Sequence, residues 1–401
     1  MAYYRRTEKA RERGRKLRRA LYLLLSLLLI ALVAAAVLAG RNQSRTADPG
    51  KGEEQTEASA GPPAVQEWTL AASGDVMLGR RVAEAMARDG AFYPFAEVAP
   101  LLRSADITFG NLESSLSERG TPLPGKGIWL RGSPRGAGAL REAGYDVLSV
   151  ANNHILDYDD PAFLDTLDYL RQQGIAPVGG GANLEEAVRP VIREVKGQRV
   201  AFLAATEMAD IFWSWDYPRT FEAKPDRPGV FRLDSDRLSE AVSSLQGEAD
   251  LIVVSLHWGT EYSDYATEAQ RETAHRLVEA GANLIIGHHP HCLQGVEIYR
   301  GSLIAYSLGN FVYDKQRLPK CQEGLLLKAS FQGPLLKKVH IYPVVIEKEQ
   351  PRLADGEAAD AVLRRTAELS RELGTSMTLA NGVGVIELDR GDAGSGEIGD
   401  S

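Results

Sequence analysis

Residues 282–295 read ANLIIGHHPHCLQG. A short apolar run of about four to eight residues, closed by a glycine, has the length and composition of a fully buried strand. It runs directly into His288, His289 and His291, three of only seven histidines in the chain. Four other stretches repeat the arrangement. TLAAS leads to Gly74-Asp75-Val76-Met77 and DITF to Gly110-Asn111-Leu112-Glu113. DVLSV leads to Ala151-Asn152-Asn153-His154, and LIVVSL to His257-Trp258-Gly259. In open α/β sheets, side chains at the carboxyl ends of strands converge on one crevice. The five strand ends therefore predict one pocket that collects Asp75, Glu113, Asn152, Asn153, His154, His257, His288 and His291, with Asn111 and His289 as further candidates. Each residue alone has an ordinary reading: Asp75 as a turn or cap, Asn152 and Asn153 as a turn pair, His257 as a hydrogen-bonded core histidine. The fivefold repetition is the argument for a shared site. His275 and His340 lie outside it and read as surface residues.

Apolar runs at 68–72, 106–109, 145–151, 200–205, 250–256 and 282–286 alternate with helical patterns. A helix over 161–173 is signalled by Asp160 as cap, Pro161 in the first turn and an apolar face ending at Gly174. Thr267 and Gln270 have capping-box spacing for a helix over 268–280. This alternation predicts an α/β domain with central sheets covered by helices. A helix near 355–373 and a strand near 382–388, within a C-terminal stretch of 348–388, are expected to pack back onto the main domain of 67–347.

The charge is unevenly spread. Residues 1–20 hold nine basic and two acidic side chains, a surplus of +7 that leaves −15 for the rest of a chain whose total is −8. Residues 20–39 then carry no charge. At ~1.5 Å per residue such a stretch crosses roughly 30 Å of bilayer core. It exceeds the ~7–15 apolar residues usual in a cleaved signal peptide, so it reads as an uncleaved transmembrane helix at 20–40. The basic arm of 1–19 then places the N-terminus in the cytoplasm and the large domain outside it, at the cell membrane. It is a topology signal, and the acidic domain argues against nucleic acid as partner. Residues 41–66 read as a flexible linker and 389–401 as a disordered tail. Cys292 and Cys321 are too few for a disulfide framework and read either as a pair or as two buried thiols.

Carboxylate, amide and imidazole donors in this mixture suit Zn, Mn or Fe. A two-metal hydrolytic centre needs such a set. The motif series GDVMLGR (74–80), GNLESSL (110–116), ANNHILDYD (151–159), HWGTEY (257–262), GHHPHCLQGVE (287–297) and YSLGNFVYD (306–314) resembles that of CapA-type bacterial capsule proteins, which serve poly-gamma-glutamate synthesis and export. The resemblance covers about 68–315, with the motifs in order. It implies a four-layer αββα sandwich related to the calcineurin-like metallophosphoesterases. It further implies Asp75, Glu113, Asn153, His257, His288 and His291 as ligands of one or two divalent metal ions. His154 is implied as the general acid, while Asn111 shares the position of the bridging carboxylate. Met77 stands where the phosphoesterase pattern has a histidine, and Asn111 where it has an aspartate.

In WLRGSP (129–134), Arg131 is a candidate for holding a substrate carboxylate or phosphate, and Asn152 for substrate binding. IFWSWDYP (211–218) reads as an aromatic rim or a small hydrophobic cluster. The resemblance implies an anionic capsule polymer and other membrane proteins of a capsule synthesis or export system as partners. Two functions follow: a metal-dependent hydrolase or transferase acting on that polymer, or a non-catalytic polymer-binding component of an export complex.

Overall fold

In the computed structural model of the chain, the described residues are 66–388. The expected basic arm, membrane span and tail lie outside them, as does all but the last residue of the linker. Among the described residues no helix is long and apolar enough to cross a membrane.

The strands that carry the site are β1 (Glu67–Val76), β2 (Ile107–Leu112), β3 (Val147–Ser149), β4 (Gln198–Thr206), β5 (Leu251–His257), β6 (Leu284–His288), β7 (Ser302–Ala305) and β8 (Asn310–Val312). The helices used below are α1 (Arg80–Asp89), α2 (Asp159–Gln172), α3 (Ser235–Ser244), α4 (Glu268–Glu279) and α5 (Gly356–Glu372). All six expected strands are present. Helix α2 starts slightly earlier than expected: its N-cap is Tyr158 with no side-chain cap, and Asp159 and Asp160 sit inside the first turn. There they interact favourably with the positive end of the helix. Helix α4 has the expected capping box, Thr267 and Gln270 each bonding the other's backbone.

The chain forms a mixed α/β sandwich. In a ten-stranded sheet, β1 runs parallel to β2 and, at its far end, to β8; β2 is parallel to β3. The other edge of β1 is antiparallel to Glu323–Gln332, which pairs with Leu335–Glu347. A six-stranded sheet holds β4, β5, β6 and β7 in parallel, closed by antiparallel strands at both edges. The inner faces meet in one apolar core, where Phe109 of β2 stacks on Phe202 of β4 with centroids 5.8 Å apart. On the outer face of the second sheet, Leu238 and Val242 of α3 and Leu277 and Val278 of α4 pack against Leu203, Val254 and Ile285. The C-terminal strand Val383–Glu387 joins the first sheet beside Leu335–Glu347. Helix α5 is tied to the second sheet where Ser370 Oγ accepts from Val296 N at 2.9 Å.

One expectation about a side chain outside the site needs revision. His275 is not an ordinary surface residue: Nε2 lies 2.9 Å from the buried Glu297, and the ring stacks on Tyr299 at 3.8 Å. The strand Val296–Tyr299 passes beside α4 and brings a buried carboxylate to that helix face, which helix periodicity alone does not reveal. Cys292 and Cys321 are both buried free thiols.

Phe202 joins the two sheets and is fully buried. Truncation to alanine leaves a cavity, so Phe202→Ala is expected to lower unfolding free energy by ~3–5 kcal/mol, checked by denaturant titration. An unchanged midpoint contradicts the sandwich packing.

Candidate metal centre

Strand register assembles the site. At the end of β1, Asp75 lies opposite Asn310 of β8 on one side and Asn111 of β2 on the other. In the facing sheet His257 of β5 lies opposite His288 of β6 and Thr206 of β4. Two glycines permit this closeness. A Cβ on Gly74 would stand 2.1 Å from the Gly309 carbonyl oxygen, and one on Gly287 would stand 1.9 Å from that of Tyr306. Beyond Gly287 the backbone turns sharply. His289 (φ 99°) and His291 (φ 56°) both adopt the left-handed region that non-glycine residues rarely occupy. Such strain persists where surrounding contacts enforce it. Here it turns three imidazoles inward from four consecutive positions.

Asp75 and Glu113 are fully buried. Asp75 accepts from Asn111 Nδ2 at 2.9 Å and from His289 N at 3.3 Å. His288 Nδ1 stands 3.1 Å from Asp75 Oδ1, outside hydrogen-bond alignment. Burial pushes the Asp75 carboxyl up, but the neighbouring His288, His291 and Asn111 outweigh it and hold the group below its usual range. Glu113 has no such support. Neither of its oxygens has a hydrogen-bond partner. The nearest imidazole nitrogens, Nε2 of His257 and of His291, stand 3.8 Å from Oε1. Burial first, and the negative Asp75 second, push its carboxyl well above the ordinary value.

His257 Nε2 lies 2.9 Å from Asn153 Oδ1. Burial and the adjacent His289 push its pKa well down. The same causes, burial and then His291, bring His289 down to about 3. Both ring nitrogens of His288 and Nδ1 of His289 are buried without hydrogen-bond partners. Asn310 Oδ1 takes Nδ1 of His291 at 3.0 Å, which turns Nε2 of that ring towards Glu113.

These orphaned atoms fit a cation. Asp75, Glu113 and His291 offer ligand atoms within 4.8 Å of one another, and so do Glu261, His289 and His291. A buried carboxylate without hydrogen bonds or a positive partner costs several kcal/mol. A divalent ion with oxygen and imidazole ligands removes that cost. Met77 takes no part: it is fully buried, and its Sδ accepts from Gly79 N at 3.0 Å.

His154 stands at the edge of the cluster. Its Nδ1 is 2.7 Å from Asp157 Oδ2, an acceptor-only carboxylate, so Nδ1 carries the proton. Asp157 is itself fixed by Leu130 N at 2.7 Å and by the ammonium of the buried Lys126. Lys126 also donates to the Asn153 carbonyl oxygen and lies 4.7 Å from the centroid of Trp213. Burial and the positive Lys126 lower the His154 pKa to about 4.

The two expected substrate residues are placed differently. Asn152 is fully buried; Nδ2 donates to Asn111 Oδ1 and Leu112 O, and Oδ1 accepts from His154 N and Ile155 N. It orients Asn111 and the His154 turn. Arg131 lies over the Tyr158 ring at 3.9 Å and donates to Arg119 O. In the 211–218 loop, Trp213 packs inward against Phe221 while Trp215 is 88% exposed. Glu261, Asn310 and Asp157 lie in the quoted motifs, but only the fold brings them to the cluster. Lys126 sits in the Gly- and Pro-rich stretch 120–130, where no local pattern marks a buried cation.

Residues 69–315 match the family described as bacterial capsule synthesis protein PGA_cap. The chain belongs to that family. It is 32% identical over 294 residues to the capsule biosynthesis protein CapA of Bacillus anthracis, covering 72% of this chain and 69% of that one. It is 30% identical over 323 residues to the PGA biosynthesis protein CapA of Bacillus subtilis, covering 80% and 82%. Among solved structures, a 5'-nucleotidase from Candida albicans is similar with a TM-score of 0.39 and 12% identity, covering 77% of this chain and 58% of that one. The family match spans every residue of the cluster, from Asp75 to Asn310.

Replacing Glu113 by glutamine removes the buried ionisable carboxyl and keeps the shape. Glu113→Gln is expected to leave the chelator-stripped protein as stable as the wild type or more so. It should also abolish the stabilisation by added Zn or Mn, about 2.7 kcal/mol at a hundredfold excess over Kd. Thermal melts with and without metal check this; an equal metal-induced gain in both proteins contradicts the assignment.

Proposed function

We propose that this chain takes part in the synthesis, export or processing of an anionic capsule polymer of the poly-gamma-glutamate type, through a metal-dependent hydrolase- or transferase-like centre. The observation that carries the reading is Glu113: a buried carboxylate with both oxygens unpartnered, 3.8 Å from the Nε2 atoms of His257 and His291. Family membership and the names of the CapA relatives supply the polymer class. The sandwich accords with the four-layer αββα plan of the calcineurin-like metallophosphoesterases that the motif series implies. In this reading residues 20–40 anchor the protein as a single span, with the large domain outside the cytoplasm and other membrane proteins of the system as partners.

Asp75, Glu113, His257, His288, His291 and Asn153 would hold one or two divalent ions, joined by His289 and Glu261. A bound ion of this kind polarises an acyl or phosphoryl oxygen and lowers the pKa of bound water. The chain's own residues do the rest. Asn310 and Asn152 fix the His291 ring and the His154 turn. His154 moves the proton: neutral at rest with its Nδ1 proton held by Asp157, it accepts a proton at Nε2 from the attacking group and returns it to the leaving group. This makes His154 a proton relay that starts as base, because burial and Lys126 oppose a resident imidazolium.

A second reading, polymer retention without chemistry, is favoured by Met77, which stands where the phosphoesterase pattern has a histidine and takes no part in the cluster. Two measurements separate the readings. Metal content of the purified full-length protein should fall at least about tenfold in His257→Ala and His288→Ala, as for loss of a ligand or its support; undiminished metal in both removes the metal site. Turnover of gamma-linked glutamate polymer should then fall roughly 10²–10⁴-fold in His154→Ala with metal content unchanged. Turnover equal to wild type excludes His154 as relay, and no turnover in either protein favours retention.

A further inference from the structure

We propose that a cationic pocket between α1 and the hairpin after Leu335–Glu347 is a distal subsite for the carboxylates of a polymeric acid. This rests on the polymer reading above and extends it to how the protein holds more than the reacting unit. The pocket has a volume of about 440 Å³ and is lined by Arg81, Lys315, Ile346, Lys348 and the carboxylates of Glu347 and Glu349. The acidic groups are already engaged. Glu349 pairs with Arg81 at 3.2 Å, and Glu347 pairs with Arg352 at 2.6 Å. Lys315 and Lys348 have no ion pair among the described residues, and both face the cavity. Outside the basic arm the chain carries −15, so its field repels a polyanion in general. Two unpaired ammonium groups in one opening are a local exception to that field.

The pocket is linked to the metal centre through neighbouring residues. The His291 ring lies 5.2 Å from the Tyr313 ring, whose other neighbour is the Arg80 guanidinium at 5.6 Å. Arg80 pairs with Asp314 at 2.7 Å. Arg81 and Lys315, the next residues of those two segments, belong to the pocket. Arg80, Arg81 and Lys315 therefore lie on the two segments that flank the buried Tyr313 ring, and Arg81 and Lys315 share the pocket with Lys348.

The hairpin is held in place for this role. Lys348 and Glu349 form its turn with φ of 53° and 63°, left-handed at two non-glycine positions. Tyr93 OH donates to the Lys348 carbonyl oxygen at 3.1 Å, and Gln350 Nε2 donates to Tyr93 O at 2.6 Å. The two contacts fix the turn beside α1 at a cost in backbone strain that a glycine would relieve.

The test is binding of fluorescent gamma-linked glutamate oligomers, two or about ten residues long, to the full-length protein in detergent, followed by anisotropy. The wild type should hold the long oligomer more tightly than the short one, and less so as salt rises. Lys315→Glu with Lys348→Glu should weaken the long oligomer at least about fivefold, the scale of two reversed exposed charges. The short oligomer and metal content should stay unchanged. Equal affinity of wild type and double variant for the long oligomer overturns the subsite, as does a wild type that binds neither length. Metal content and the His257→Ala comparison judge the metal centre separately, so failure of the subsite and failure of the polymer-processing site give different results.

Discussion

Asp75 and Glu113 are buried in one cluster of imidazoles, and only one of them is supplied with hydrogen bonds. Two carboxylates this deep and this close repel each other across a low-dielectric interior. Asp75 is eased by Asn111, the His289 amide and two nearby rings, whereas Glu113 has nothing within hydrogen-bond reach. A fold does not keep such an arrangement for stability, because a neutral side chain of the same size would cost less. The arrangement makes sense when a positive ion completes it. The glycines that let strands approach, the left-handed backbone at His289 and His291, and the Asn310 clamp on the His291 ring all serve to hold ligands around that charge.

The sandwich supplies the geometry. Parallel strands in register bring equivalent ends level, so β1 and β2 of one sheet and β5 and β6 of the other present their last residues at one edge. The core behind them is close-packed, with Phe109 against Phe202 joining the sheets. Rigid backing of this kind keeps donor atoms where an ion requires them. Around Asp75, Glu113 and the histidines, further buried polar groups fix orientation: Asn152 on the His154 turn, Asp157 and Lys126 on the His154 ring. Lys126 also connects that layer to Trp213 and so to the aromatic loop at the surface.

Much of this was legible in the sequence, for physical reasons. Buried parallel strands have to be apolar over their whole length, so GHHPH, GDVM, ANNH and HWG stood out as polar interruptions at strand ends. The same pattern identified the strands themselves and, through Thr267 and Gln270, the start of α4. Roles that depend on which side chains meet across the fold were not legible. Asn152 reads from the sequence as a candidate for substrate binding, yet every polar atom of its side chain is used internally. His275 looked exposed on its helix, but a strand from elsewhere in the chain brings Glu297 to it. Lys126 carries no local signal, since a buried lysine is explained only by the Asp157 and Trp213 that surround it.

The central claim is that the orphaned Glu113 belongs to a metal centre. Anomalous diffraction from crystals of the protein, recorded at the absorption edge of the metal it carries, tests this most directly. The account predicts a peak among Asp75, Glu113 and His291, at ~2.0–2.2 Å from a Glu113 oxygen if the ion is zinc. Protein that carries stoichiometric metal but shows its peak elsewhere, with Glu113 unligated, would contradict it.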